Sequence, residues 1–255
     1  MVLTHVLGAV TGSDEEKAKA WKSLARLAED AELYDHMCEI MTHLVKHKNG
    51  VLDRQERNLL SIAFKNNIGT GRNAHRTLGD ESEDGKQPLA AAYRDIVSQE
   101  VEAQCKDIIQ LLTSVLVPAA ENNSDGEVYV FYTKMTADYY RYACEITTSE
   151  SNKEEYKNKA GEFYQKAWAK ATHEEDGLAP YHPIRLGLAL NYSVAHYEVL
   201  KNKDEACKLA KEAFDKAINN ISDLQENDYK DSTLIMQLLR DNLTLWTTEQ
   251  DAEDA

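Results

Sequence analysis

The chain has 255 residues, a formal net charge of −15, 42% hydrophobic and 29% charged residues. That length supports a full core, and the acidic balance argues against nucleic acid or an anionic membrane surface as a partner. No run of about 18 apolar residues occurs, so no segment reads as membrane-spanning. With only four prolines and eleven glycines, long helices are favoured over many short strands.

Periodicity and start signals predict nine helices, at 13–31, 34–48, 53–77, 87–117, 124–148, 151–174, 182–200, 203–221 and 228–248. Ahead of them, MVLTHVLGAVTGSDEE lacks a basic leader and is interrupted by His5 and Gly8, so it reads as an N-terminal extension (1–12) rather than a signal peptide. Ser13 with Glu16, Asp53 with Glu56, Ser151 with Glu154 and Asn202 with Glu205 have the spacing of N-terminal caps. Pro118 reads as the stop of the apolar run from Leu89 to Val117, and Pro183 as the first turn of a helix beginning near His182. Gly79–Lys86 and His173–Gly177 read as polar loops. Glu249–Ala255 holds four acids and no base, and reads as a solvated, disordered tail after a helical domain at 13–248. Short connections imply that sequence neighbours pack antiparallel. Cys38, Cys105, Cys144 and Cys207 form no CxxC pair and read as reduced thiols.

Two pairs of cations stand out against the acidic background. Lys65 and Arg72 are seven residues apart, as are Lys134 and Arg141, and Tyr142 follows Arg141. Seven residues is about two turns, so each pair shares a helix face. Solvated surface charge with i,i+4 pairing, such as Lys134 with Asp138, accounts for either face alone. If both faces look into one concavity, two guanidinium forks, a lysine and a phenol suit a phosphate dianion.

The last helix carries an apolar arc of about 200°, from Leu234, Leu238, Ile235 and Leu245 round to Trp246, Leu239, Leu243 and Met236. A helix facing one core needs little more than 100°. The excess predicts either burial on two sides or a second face turned to a ligand. In residues 186–198, Leu190, Val194 and Tyr197 share a face with Leu186, and Asn191 stands beside Leu190. Asn191 and Asn242 each offer a donor and an acceptor for the main chain of an extended peptide. A stripe of His36, Glu39, His43 and His47 has the spacing of a metal site, or of a half-exposed polar face. There is no P-loop, GxSxG, GxGxxG or HExxH, so no enzyme class is indicated. A helical-repeat scaffold for unphosphorylated peptides is the alternative reading; repeat spacing is irregular.

RNLLSIAFKN (57–66), VFYTKMTADYYRY (130–142), HPIRLGLALNYSV (182–194) and YKDSTLIMQLLRDNLTLW (229–246) resemble the signature blocks of the 14-3-3 proteins, in order and spacing, over residues 24–248. The resemblance implies an all-α fold of nine antiparallel helices forming a cup-shaped protomer with a concave amphipathic groove, usually a homodimer. It implies an adaptor that binds phosphoserine or phosphothreonine segments of client proteins, with no catalysis, cofactor or metal, acting in the cytoplasm with the nucleus open to it. Lys65, Arg72, Arg141 and Tyr142 match the phosphate clamp. Asn191 and Asn242 match the main-chain contacts, and Leu190, Val194, Leu234, Ile235 and Leu238 the apolar wall. Glu198, Asp241 and Trp246 fall at groove-associated positions. Departures are also visible: Gly71 stands where such proteins usually have a second arginine, His75 where a tryptophan is usual, and Leu33, His36 and Ile96 where interface charges are typical, while Glu100 remains.

Overall fold

The computed structural model describes the backbone of residues 3–83, 89–220 and 226–253, and side chains for 3–80, 89–220 and 229–249. All regular structure among the described residues is helical: α1 (Thr4–Gly8), α2 (Asp14–Asp30), α3 (Tyr34–His47), α4 (Arg54–Glu83), α5 (Ala90–Leu111), a π-helical turn (Leu112–Leu116), α6 (Val117–Asn122), α7 (Gly126–Ile146), α8 (Glu150–Ala171), α9 (Pro183–Glu198), α10 (Lys203–Ile218) and α11 (Glu226–Glu253). Contacts divide the chain into two compact units, Met1–Asn123 with Ile146–Glu150, and Ser124–Glu145 with Ser151–Ala255.

In the first unit α2 packs on α3, α3 on α4 and α4 on α5. Met37, Met41, Leu44, Leu60, Ile68, Ile108 and Leu112 are buried at its centre. Ser13 caps α2 in a reciprocal capping box with Glu16. Asp53 and Glu56 do the same for α4, each backbone N–H donating to the other's carboxylate at 2.8 Å. Lys22 and Lys48 tie those two carboxylates to α2 and to the turn after α3.

Several expected boundaries move, each for a local reason. The extension is partly ordered: α1 buries Leu7, and the Trp21 indole N–H donates to the Leu7 carbonyl at 3.3 Å. Pro118 does not stop the fifth predicted helix. It sits in the first turn of α6, behind the π turn, where the Thr113 and Ser114 hydroxyls donate to the Ile109 and Gln110 carbonyls. A proline removes one N–H and crowds the carbonyl four residues earlier, and a widened turn relieves both. Residues 79–83 of the expected loop are helical, with the Arg94 guanidinium lying against Gly79; residues 84–86 fall outside the described part. The eighth helix starts at Glu150, so Ser151 lies inside its first turn and is no cap. Residues 249–253 of the expected disordered tail are helical instead: α11 continues to Glu253, and the Tyr197 hydroxyl donates to the Glu249 carboxylate, while residues 254–255 fall outside the described part.

In the second unit, Val130 and Ala137 of α7 meet Ala160, Tyr164, Ala167 and Ala171 of α8 and Leu188 and Ala195 of α9. A second cluster joins α9, α10 and α11 through Leu186, Ala189, Ala206, Ala210, Met236, Leu239 and Trp246. Alanines dominate both interfaces, which brings the helix axes close.

Gly69 and Gly71 both lie within α4 but in different surroundings. A Cβ at Gly69 meets nothing within 4 Å, whereas one at Gly71 collides with Val101 Cγ2 of α5. Gly69→Ala should therefore stabilise the protein by about 0.5–1 kcal/mol through helix propensity. Gly71→Ala should destabilise it by about 1–2 kcal/mol, because overpacking outweighs that gain. Urea denaturation of the two variants checks the opposite signs.

Candidate functional site

Lys65 and Arg72 occupy one stripe of α4 in the first unit, as their spacing requires; Lys65 is exposed and Arg72 half-buried. Beside them, Gly71 faces Val101 of α5. The resulting α4–α5 contact leaves no room for a side chain there. One turn on, the His75 ring is buried, and its Nε2 accepts from Arg94 Nε at 3.1 Å.

The remaining polar candidates gather in the second unit around the buried carboxylate of Asp138. Lys134 Nζ donates to Asp138 Oδ2 at 2.7 Å. The Tyr164 hydroxyl donates to Oδ1 at 2.5 Å, and Asn191 Nδ2 to the same oxygen at 2.9 Å. Arg141 Nε donates to the Tyr164 hydroxyl at 3.2 Å, so Tyr164 relays the cation to the carboxylate. The Arg141 guanidinium also stacks on the Tyr142 ring, 4.6 Å from its centroid, and lies 4.0 Å from the exposed Glu198 carboxylate. Tyr142 is half-buried, with Glu198 on α9 at the outer edge.

Electrostatics hold the node in one state. Burial would raise the Asp138 pKa, but the charges of Lys134 and Arg141 and the hydrogen bonds from Lys134 and Tyr164 bring it below the ordinary carboxylate value. Burial likewise works against the charge of Arg141, and Tyr164, Tyr142 and Asp138 more than restore it. Burial and the neighbouring Asp138 charge push the Tyr164 phenol up, so it stays a donor. An ionised carboxylate only accepts, which fixes the flip of Asn191: its NH2 faces Asp138, leaving its carbonyl oxygen for another partner.

The apolar candidates divide along α11 as two faces. Met236, Leu239 and Trp246 are buried, at 4%, 0% and 5% exposure, whereas Leu234, Leu238 and Leu245 stand at 58%, 44% and 55%. Burial on both sides is thereby ruled out. Ile235, Leu190 and Val194 are half-buried against the α9–α10–α11 core and form the edge between the two faces. A Cβ at Gly187 would rest in ordinary van der Waals contact with Lys134 Cε and Ile235 Cδ1, at 3.7 and 3.9 Å. Trp246 backs the wall instead of surfacing on it, stacked on Tyr197 at 4.8 Å and 10°. Asn242 is half-buried and Asp241 exposed beside Arg240.

The histidine stripe is occupied by packing. His43 and His47 meet the Trp21 ring edge-on at 4.5 and 4.8 Å, and Glu39 accepts from the Leu3 N–H at 3.0 Å. Among the described residues no group of three His, Cys, Asp or Glu side chains is placed to share an ion. Sequence reasoning assigned no part to Tyr164, the residue that links Arg141 to Asp138. Its position in AGEFYQKAW reads only as a core aromatic, and nothing local marks its hydroxyl.

An acidic chain, wholly helical among its described residues, thus sets a caged arginine and an exposed aliphatic face in one unit. Comparison with known proteins gives its family. A profile of the 14-3-3 protein family matches residues 24–247. The chain is 47% identical over 236 residues to 14-3-3 protein beta/alpha-B of Xenopus laevis, covering 91% of this chain and 93% of that one. It is 48% identical over 243 residues to a 14-3-3 protein homolog of Neospora caninum, covering 90% and 88%. It is 45% identical over 235 residues to 14-3-3-like protein 2 of Caenorhabditis elegans, covering 90% and 92%. The chain belongs to the 14-3-3 family, the phosphopeptide-binding adaptors and regulators. Membership does not favour the repeat-scaffold alternative.

The Asp138 node gives a pH prediction. A carboxylate whose folded pKa lies below its unfolded value contributes stability above the ordinary value of 3.8 and loses it as pH falls through the lowered one. Asp138→Asn should cost about 3 kcal/mol at neutral pH, since it strands Arg141 and Lys134. It should also flatten the loss of stability on acidification below about pH 4. Thermal melts of both proteins between neutral and acid pH measure the two effects.

Proposed function

We propose that Lys65, Arg72, Arg141 and Tyr142 together hold the phosphate of a phosphoserine or phosphothreonine segment in a client protein. Arg72 and Arg141 supply charge-assisted hydrogen bonds, Lys65 supplies a mobile charge and Tyr142 its hydroxyl. The observation that carries this reading is the cage around Arg141: its guanidinium is already oriented and desolvated, so binding an anion orders little more. Phosphate displaces Glu198 at the outer edge of the guanidinium. Asn191, aimed by Asp138, and Asn242 grip the ligand main chain. Leu190, Val194, Leu234, Ile235 and Leu238 select side chains beside the phosphoresidue. The protein acts by binding alone, without a reaction of its own, in the cytoplasm. No described helix is long and apolar enough to cross a membrane, and the net charge of −15 disfavours nucleic acid.

Paired titrations test the clamp. Lys65→Glu is at an exposed position and should leave the fold intact, yet weaken a fluorescent phosphopeptide by about tenfold or more, the loss of one charge-assisted contact. Its unphosphorylated twin should bind weakly and be affected little. Equal effects on both peptides would refute phosphate recognition.

The first unit also exposes Leu27, Leu33, Tyr93 and Ile96 on α2, α5 and the turn before α3. We infer that two copies associate through these side chains as a homodimer, which presents two sites to a doubly phosphorylated client at raised effective concentration. Apolar contact is not screened by salt. Light scattering should therefore give one dimer mass from about 0.05 M to about 0.5 M salt, and Ile96→Glu should yield monomers; dissociation by salt alone would contradict an apolar seam.

A further inference from the structure

Away from the phosphate-binding residues, the first unit holds a cavity of about 670 Å3 bounded by α1, α3, α4 and α5. That is the size of a small-molecule pocket. It exists in this form because α1 supplies one wall, fixed by the Leu3 N–H to Glu39 and by Trp21 to the Leu7 carbonyl. Leu7, Phe64 and Leu111 give the lining its apolar surface, and each is at most 5% exposed. Among the amides on the wall, the Gln104 carbonyl oxygen is buried and accepts no hydrogen bond. Leaving such an acceptor unmade costs about 1–3 kcal/mol, which a donor-bearing ligand recovers.

The charge around the cavity has one sign. Asp35, Glu39 and Asp107 face it against a single ammonium, Lys46. His43 adds no charge, because burial and the nearby His47 and Lys46 hold its pKa below the ordinary value. Burial pushes the Cys38 thiol up to about 12, so it remains protonated. An anion would meet three carboxylates, and a purely apolar guest would leave Gln104 unsatisfied.

We propose that this cavity binds a small amphipathic amine, its apolar body against Leu7, Phe64 and Leu111, one N–H on Gln104 Oε1 and its ammonium toward Asp35, Glu39 and Asp107.

Fluorescence titration of the full chain with dansylcadaverine, a protonated amine on an aromatic body, tests this, with its N-acetyl derivative as the neutral twin. Saturable binding is expected, weakened about tenfold or more by acetylation, by Gln104→Leu and by the charge reversal Asp107→Lys. Asp107 is exposed, so Asp107→Lys should fold, which circular dichroism verifies. The same variant should bind phosphopeptide as before, which separates this site from the clamp. Absence of saturable binding, equal binding of the acetylated probe, or full affinity in both Gln104→Leu and Asp107→Lys would each overturn the proposal.

Discussion

Asp138 carries a charge at 7% exposure, and the arrangement of the second unit's polar residues follows from keeping that charge satisfied. Removing a carboxylate from water costs several kcal/mol unless donors replace the lost hydration. Here the donors come from three helices: Lys134 on the same helix, Tyr164 on α8 and Asn191 on α9. Each is a group whose orientation would otherwise be free. Asp138 therefore fixes the flip of one amide, the direction of one phenol and, through that phenol, the plane of Arg141. The proposed recognition of a dianion would gain from this, because the rotamer entropy of a long cation has been lost during folding and not on binding.

The same economy governs α11. Its apolar arc is too wide for one core, and the structure spends half of it on Met236, Leu239 and Trp246 and leaves Leu234, Leu238 and Leu245 outward. Trp246 is central although it touches no solvent, since its stacking on Tyr197 and the Tyr197–Glu249 hydrogen bond fix the far end of the helix. A rigid exposed aliphatic edge beside a caged cation provides both specificity for neighbouring side chains and charge recognition. Neither is sufficient alone: an aliphatic edge is poorly selective, and a lone cation binds any anion.

Much of this was legible in the sequence because it depends on local rules. Helix periodicity located nine of the helices, and the reciprocal Ser13–Glu16 and Asp53–Glu56 caps follow from three-residue spacing. The excess width of the last helix's apolar arc leaves two-sided burial and an open face as alternatives, between which the exposure of Leu234, Leu238 and Leu245 decides. What escaped depends on contacts between distant residues. Nothing near Tyr164 in sequence indicates that it bridges Arg141 and Asp138. The π turn before Pro118, which lets the helix pass the proline, has no period that a sequence pattern reads. The extension of α11 past Trp246 rests on a partner 52 positions away, which composition, reading four acids in seven residues, had no means of including.

Gly71 shows how a sequence difference changes meaning once its neighbour is known. By comparison of motifs it is a missing arginine, and the inference is a weaker clamp. In the structure it is also a packing residue: Val101 of α5, at 2% exposure, occupies the space a side chain would need. The two descriptions constrain each other. An arginine at 71 would meet Val101, so within this packing the position cannot carry a second cation. The neighbouring His75–Arg94 hydrogen bond adds to the same contact, because the buried ring's nitrogen gives the guanidinium from α5 an acceptor. Position 71 thus serves the α4–α5 contact, next to the half-buried Arg72.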